Sequence, residues 1–220
     1  MKTKRLPGHL DSALQEAAEL LQAGETVAFP TDTVYGLGAH ARSADAVKKI
    51  YEAKGRPLDK ALIILICDKK QLQEIASDIP ETAQKLMDAF WPGPLTLVFK
   101  QRQDTVPDYV TRGLKTVAVR MPNHPVALQL LQIASIPIAA PSANLSGHAS
   151  PTDAEQVYRD LDGRIAAVVD GGPCSVGVAS TILDISGDTP VILRHGTITR
   201  EQIEQATGLR IQDAAGSASV

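Results

Sequence analysis

Cysteine and aromatic residues are scarce in this 220-residue chain, which has two Cys, one Trp, four Tyr and three Phe. Cys67 lies in an apolar run and Cys174 in a glycine-rich loop. That suits a reducing compartment better than a disulfide scaffold, and neither looks like half of a zinc site. Aromatics at 4% count against stacking platforms for nucleic acid, and a net charge of −3 gives no global attraction to polyanions or anionic membranes. No apolar run approaches the roughly 20 residues that cross a bilayer, and Met1-Lys2-Thr3-Lys4-Arg5 is not followed by a signal-type apolar segment. The expectation is a cytoplasmic protein with no membrane partner. What the chain does have is 44% hydrophobic residues, enough to bury one sizeable core, and no low-complexity linker.

Helical and extended patterns alternate with short punctuation. Leu10–Ala23 reads as an amphipathic helix stopped by Gly24, Thr26–Phe29 as a strand, and Ser43–Ala53 as a helix stopped by Gly55. Ala61–Cys67 is continuously apolar and β-branched-rich, as in a strand buried on both faces. Asp68 with Gln71, Thr152 with Glu155 and Thr199 with Gln202 are capping-box pairs, and Pro80 and Pro125 open further helices. Extended segments are expected at 94–99, 116–120, 136–140, 165–169, 181–185 and 191–194. The fold class is α/β (α+β): one twisted mixed sheet with helices on its faces. Residues 209–220 are expected to form a C-terminal tail.

Four places carry chemistry. Pro30-Thr31-Asp32-Thr33-Val34-Tyr35-Gly36-Leu37-Gly38 follows a short strand and reads as a tight loop, its glycines admitting a ligand to the backbone and its threonines offering hydroxyls. Lys54-Gly55-Arg56-Pro57-Leu58-Asp59-Lys60 projects three cations from an irregular segment, where they grip phosphates or are merely solvated. Ser142-Ala143-Asn144-Leu145-Ser146-Gly147, with Ser150 beyond, is a strand-end loop able to bond an anion or a base edge, or an ordinary turn. Arg120 and Arg194 each close an apolar strand, where a guanidinium takes a carboxylate or phosphate bidentately or forms a structural ion pair. No Ser-His-Asp or Cys-His set is evident, and the five histidines show no metal-ligand spacing.

Together with Trp91-Pro92-Gly93-Pro94-Leu95-Thr96, Val119-Arg120-Met121-Pro122 and Ser180-Thr181-Ile182, these motifs resemble the Sua5/YrdC/YciO family, and within it the threonylcarbamoyl-AMP synthases, from about Leu14 to Thr199. The resemblance implies a YrdC-like catalytic domain over residues 1–208 with a large concave cavity. It implies an enzyme, a nucleotidyltransferase, that joins L-threonine, bicarbonate and ATP into threonylcarbamoyl-AMP and pyrophosphate for the t6A modification of tRNA. Thr33, Arg120, Ala140 and Ser180 would hold threonine. Arg56, Lys60, Thr116, Ser142, Asn144, Ser150 and Arg194 would hold ATP, with Lys54 and Arg56 as the catalytic cations and Mg2+ carried by the triphosphate. Separate tRNA threonylcarbamoyl transferase proteins and weak tRNA binding are the implied partners, and the resemblance is to the short bacterial form.

One departure stands out. Where many members read Lys-Pro-Leu-Ile-Val-His, this chain reads Lys60-Ala61-Leu62-Ile63-Ile64-Leu65, so the contact the histidine makes with threonine is absent or replaced. Two alternatives remain open: an RNA-binding relative, and a related carbamoyl-adenylate enzyme with another acceptor. A mobile segment over Lys54–Lys60 is expected to cover the labile carbamate during reaction.

Overall fold

The computed structural model describes residues 2–214. In chain order the elements are β1 (Lys4–Pro7), α1 (Asp11–Gln22), β2 (Val27–Phe29), β3 (Gly36–His40), α2 (Ala44–Lys54), β4 (Ile63–Leu65), α3 (Lys69–Ile75), α4 (Glu81–Phe90), β5 (Leu95–Lys100), α5 (Asp108–Thr111), β6 (Thr116–Arg120), α6 (Pro125–Ala134), β7 (Ile138–Ala139), α7 (Ala154–Leu161), β8 (Ala167–Asp170), β9 (Thr181–Asp184), β10 (Val191–Arg194), α8 (Arg200–Thr207) and β11 (Gln212–Asp213). The strands form one mixed sheet in the order β1-β8-β2-β3-β7-β4-β6-β5-β9-β10-β11.

Local chemistry explains most boundaries. The Ser43 hydroxyl accepts from the Ala46 amide to start α2, and Gly55 ends it at φ 56°, a left-handed conformation that glycine adopts without a Cβ penalty. Both Asp68–Gln71 and Thr199–Gln202 form complete capping boxes, on α3 and α8. The cap of α7 sits one residue later than expected: Asp153, not Thr152, accepts from the Gln156 amide, its carboxylate being the stronger acceptor. The N-cap of α1 is Leu10, with no side-chain cap bond.

Side chains alternate between two unequally covered faces. One face packs into a large cluster running from Tyr35 and Ile50 through Leu97 and Phe99 to Ile203. The other is covered at one end, where α1 and α6 bring Leu14, Leu21, Leu130 and Leu131 onto Val27, Phe29 and Ile138. Each such leucine contributes about 1.5–3 kcal/mol through burial. Farther along that second face only a small apolar group remains, Val98, Ala118 and Ile182. The cavity opens here, which is why Ile63 is only half-buried in a strand expected to be covered on both sides.

Three expectations are corrected. Gly36 and Gly38 are not loop residues but lie in β3, paired with Phe29 and Val27, and neither has positive φ. A Cβ on Gly38 would stand 2.6 Å from Phe29 and 2.8 Å from Ile138, so close strand packing demands that glycine. The segment expected as a tail is structured through Asp213: β11 pairs in parallel with β10, and Ile211 is buried. The rest of that tail, residues 215–220, lies outside the described residues. Neither the edge strand β1 nor the one-turn helix α5 was expected, because the first is a basic tetrapeptide and the second too short for a period.

Candidate functional site

Loop ends converge on the second face of the sheet around one open cavity. Ile63 and Leu65 of β4 and Arg120 of β6 floor it. The loop after β2 supplies Thr31 and Thr33, the segment after β7 supplies Ala140 and Ser142, and Ser180 and Arg194 close the far side. Arg56 and Ser150 complete the rim. A second hollow shares Arg56 and Ser142 and adds Lys54, Lys60 and Asn144. Eleven of the twelve residues singled out from the sequence therefore line one or other of two adjoining spaces. Thr116 does not. It stands at the start of β6 opposite Lys100, on the same sheet face as Arg120 but four residues away, about 13 Å along the strand.

At one end of the cavity the charges are paired. Arg120 forms a salt bridge with Asp32, both side chains being almost fully buried at 6% and 5% exposure. Its Nε donates to the Gly93 carbonyl at 3.0 Å and its Nη1 to the Thr33 hydroxyl at 2.8 Å. Asp32 also accepts from the Asn123 amide at 3.0 Å. Burial lowers the Arg120 pKa and Asp32 opposes it; the guanidinium remains charged. Nothing in the sequence pattern singled out Asp32, 88 residues from its partner. Thr96 and Ser180 share a hydroxyl contact of 2.7 Å beside this pair.

At the other end the cations have no carboxylate partner among the described residues. Arg194 donates from Nε and Nη2 to the Ser180 carbonyl at 3.1 and 3.0 Å, and Arg56 donates to the Ala61 carbonyl at 3.0 Å. Burial lowers the pKa of both; for Arg194 the positive charges of Arg120 and Arg56 lower it further. Lys54 is not part of an irregular segment. It is the last residue of α2, only 2% exposed, and its ammonium donates at 2.5 Å to both the Ser142 and Asn144 carbonyls. Burial, then Arg56, pushes its pKa down to about 7, with Asp160 opposing. Two buried polar atoms here are without partners, Arg56 Nε and Asn144 Oδ1. Among the described residues no group of three or more His, Cys, Asp or Glu is placed to hold a metal ion.

A mixed sheet bearing a cationic, hydroxyl-lined hollow that holds its own buried ion pair defines a class of small-molecule-binding α/β protein. The family is fixed by similarity: the model for Sua5/YciO/YrdC proteins, described as "Telomere recombination", matches residues 19–196, and the chain belongs to that family. It is 58% identical over 198 residues to threonylcarbamoyl-AMP synthase of Bacillus subtilis, an alignment covering 90% of this chain and 57% of the relative. With a putative threonylcarbamoyl-AMP synthase of Mycobacterium tuberculosis identity is 38%, covering 92% and 93%. The solved structure of Sua5 from Pyrococcus abyssi complexed with L-threonine superposes with a TM-score of 0.91 at 47% identity, covering 96% of this chain and 63% of that one. The chain thus spans about three fifths of the length of the relatives it matches at highest identity. No helix among the described residues is long and apolar enough to cross a membrane.

Proposed function

We propose that this chain is the catalytic part of an L-threonylcarbamoyladenylate synthase, a nucleotidyltransferase. The observation that carries the reading is the meeting of Thr33, Arg120 and Ser180 with Arg56, Ser142, Ser150 and Arg194 in one cavity, in a member of a family whose relatives bear that name. The threonine amine adds to the carbon of bicarbonate with loss of water, giving a carbamate. A carbamate oxygen then attacks the α-phosphorus of ATP; the bond from that phosphorus to the bridging oxygen breaks and pyrophosphate leaves.

Attack of one anion on another needs positioning and positive charge rather than a nucleophilic side chain. Arg56, Lys60 and Arg194 supply that charge, and the Lys54 ammonium holds Ser142 and Asn144 in place behind it. Between the arginines and Thr116, the half-buried Ile63, backed by the buried Ala118 and Ile182, offers a nucleobase an apolar contact. ATP enters as its magnesium complex: the protein groups here are cations and hydroxyls, and the nearby acid, Asp32, is committed to Arg120. The product would pass to separate transferase proteins acting on tRNA.

Pyrophosphate release from ATP and bicarbonate, measured with each of several amino acids, tests the reading. Release specific to L-threonine is expected. Release no greater than with serine or a blank removes the proposed substrate, and retention of tRNA with no ATP turnover would favour an RNA-binding relative.

A further inference from the structure

Beside the Thr33–Arg120 pair lies Thr31, which also lines the cavity but whose hydroxyl, offered to a ligand by the sequence motif, is turned to its own loop. Its hydroxyl lies 2.7 Å from the Val34 carbonyl and 3.0 Å from the Thr33 hydroxyl. A hydroxyl has one proton to give. The buried Val34 carbonyl can only accept and meets no other donor among the described residues, so the Thr31 proton belongs to it. The Thr33 hydroxyl is then the donor in the contact between the two threonines. One lone pair of the Thr31 oxygen takes that proton, and the Thr33 and Val34 amides, longer at 3.2 and 3.3 Å, share the other.

The consequence appears in the cavity. Thr33 has given its proton to Thr31 and accepts from Arg120 at 2.8 Å, leaving one lone pair facing the ligand and no hydrogen. Arg120 has spent three of its five N–H groups, on Gly93, Thr33 and Asp32, and keeps one on each terminal nitrogen. We propose that Thr31 is a positioning residue that sets the hydrogen-bond polarity of this subsite, so that it takes a ligand bringing an oxyanion to Arg120 and an N–H or O–H donor to Thr33. With the opposite polarity, Thr33 would turn its hydrogen to the cavity and the subsite would be donors only, a site for a bare anion. The polarity set by Thr31 favours the α-carboxylate of an amino acid beside its ammonium or hydroxyl.

This rests on the threonine reading above, and the test separates the two. Thr31→Val removes both the donor to Val34 and the acceptor for Thr33, whereas Thr31→Ser keeps both. Calorimetric titration with L-threonine is expected to show a Kd about five- to thirtyfold weaker for Thr31→Val and a Kd near wild type for Thr31→Ser. The KM for ATP should be unchanged in both. A Thr31→Val protein that is folded by circular dichroism and binds threonine like wild type overturns the proposal. A neutron structure of the wild-type protein decides the polarity without any variant: a deuteron on Thr33 directed at Thr31 supports it, and one on Thr31 directed at Thr33 overturns it. Absence of threonine binding by the wild type would instead remove the substrate reading, while the neutron result still settles the hydroxyl order.

Discussion

The two ends of the cavity handle buried charge in opposite ways. At the Thr33 end, Arg120 is neutralised by Asp32 and every group is held by at least one bond of 2.8–3.0 Å to a neighbour. At the Arg194 end, two half-buried guanidiniums repel each other and lean on backbone carbonyls and the Ser180 hydroxyl, with no carboxylate partner among the described residues. A paired end is ready for a ligand with no net charge, because a zwitterion brings nothing that needs neutralising. An unpaired end stores a surplus that a polyanion relieves. The protein thus spends stability where a triphosphate is proposed to bind and conserves it where an amino acid is proposed to bind.

The largest expected effect comes from unpairing the paired end. Asp32→Ala leaves Arg120 buried without its counter-charge, which costs about 3–5 kcal/mol, read as a fall in the urea midpoint. Arg194→Ala and Arg56→Ala should leave that midpoint unchanged or slightly higher, since each removes a desolvated, repelled cation. They should lower kcat/KM by about 2 kcal/mol or more of transition-state stabilisation. Equal stability losses for Asp32→Ala and Arg194→Ala would erase the difference between the ends. A smaller effect follows from the same surplus: pyrophosphate at about 100 times its Kd should add about 2.7 kcal/mol to wild-type stability, seen as a rise in Tm, and much less to Arg194→Ala.

Much of this was legible before any coordinates. Caps at Asp68 and Thr199 and the helix start at Pro125 are local signals, set within four residues, and they appear where expected. The candidate site was legible as motifs, because Arg194 ends a strand, Thr33 and Ser142 lie in segments that follow strands, and Arg56 follows the end of α2. What the sequence hid was pairing at a distance. Asp32 stood inside a motif read for its hydroxyls, yet its role depends on Arg120, 88 residues later. Trp91-Pro92-Gly93 likewise matters because the Gly93 carbonyl anchors the Arg120 Nε. Gly36 and Gly38 misled for the reverse reason: a glycine demanded by strand packing against Phe29 looks the same in sequence as one demanded by a turn. Leu65 was noticed as a missing histidine, and only the register of β4 against Arg120 puts its side chain on the cavity floor.

Lys54 sits behind the Arg194 end as a buried cation whose partners are two carbonyls, and its titration gives the finest distinction. Burial brings its pKa down from 10.5 to about 7 in the folded protein. Below pH 7 both folded and unfolded chains hold the proton, and the cost of burying the charge is present in full. Between about pH 7 and 10.5 the unfolded chain holds it and the folded one progressively does not, so stability rises with pH through this window, by no more than about 1.4 kcal/mol per pH unit. Lys54→Met removes the group, so its stability should lack this rise, and the difference between wild type and variant in urea unfolding should grow in favour of wild type from pH 7 to pH 9. A constant difference would mean that the bonds to Ser142 and Asn144 keep the ammonium protonated throughout. Lys54 would then join Arg56 and Arg194 in the permanent positive surplus of the Arg194 end.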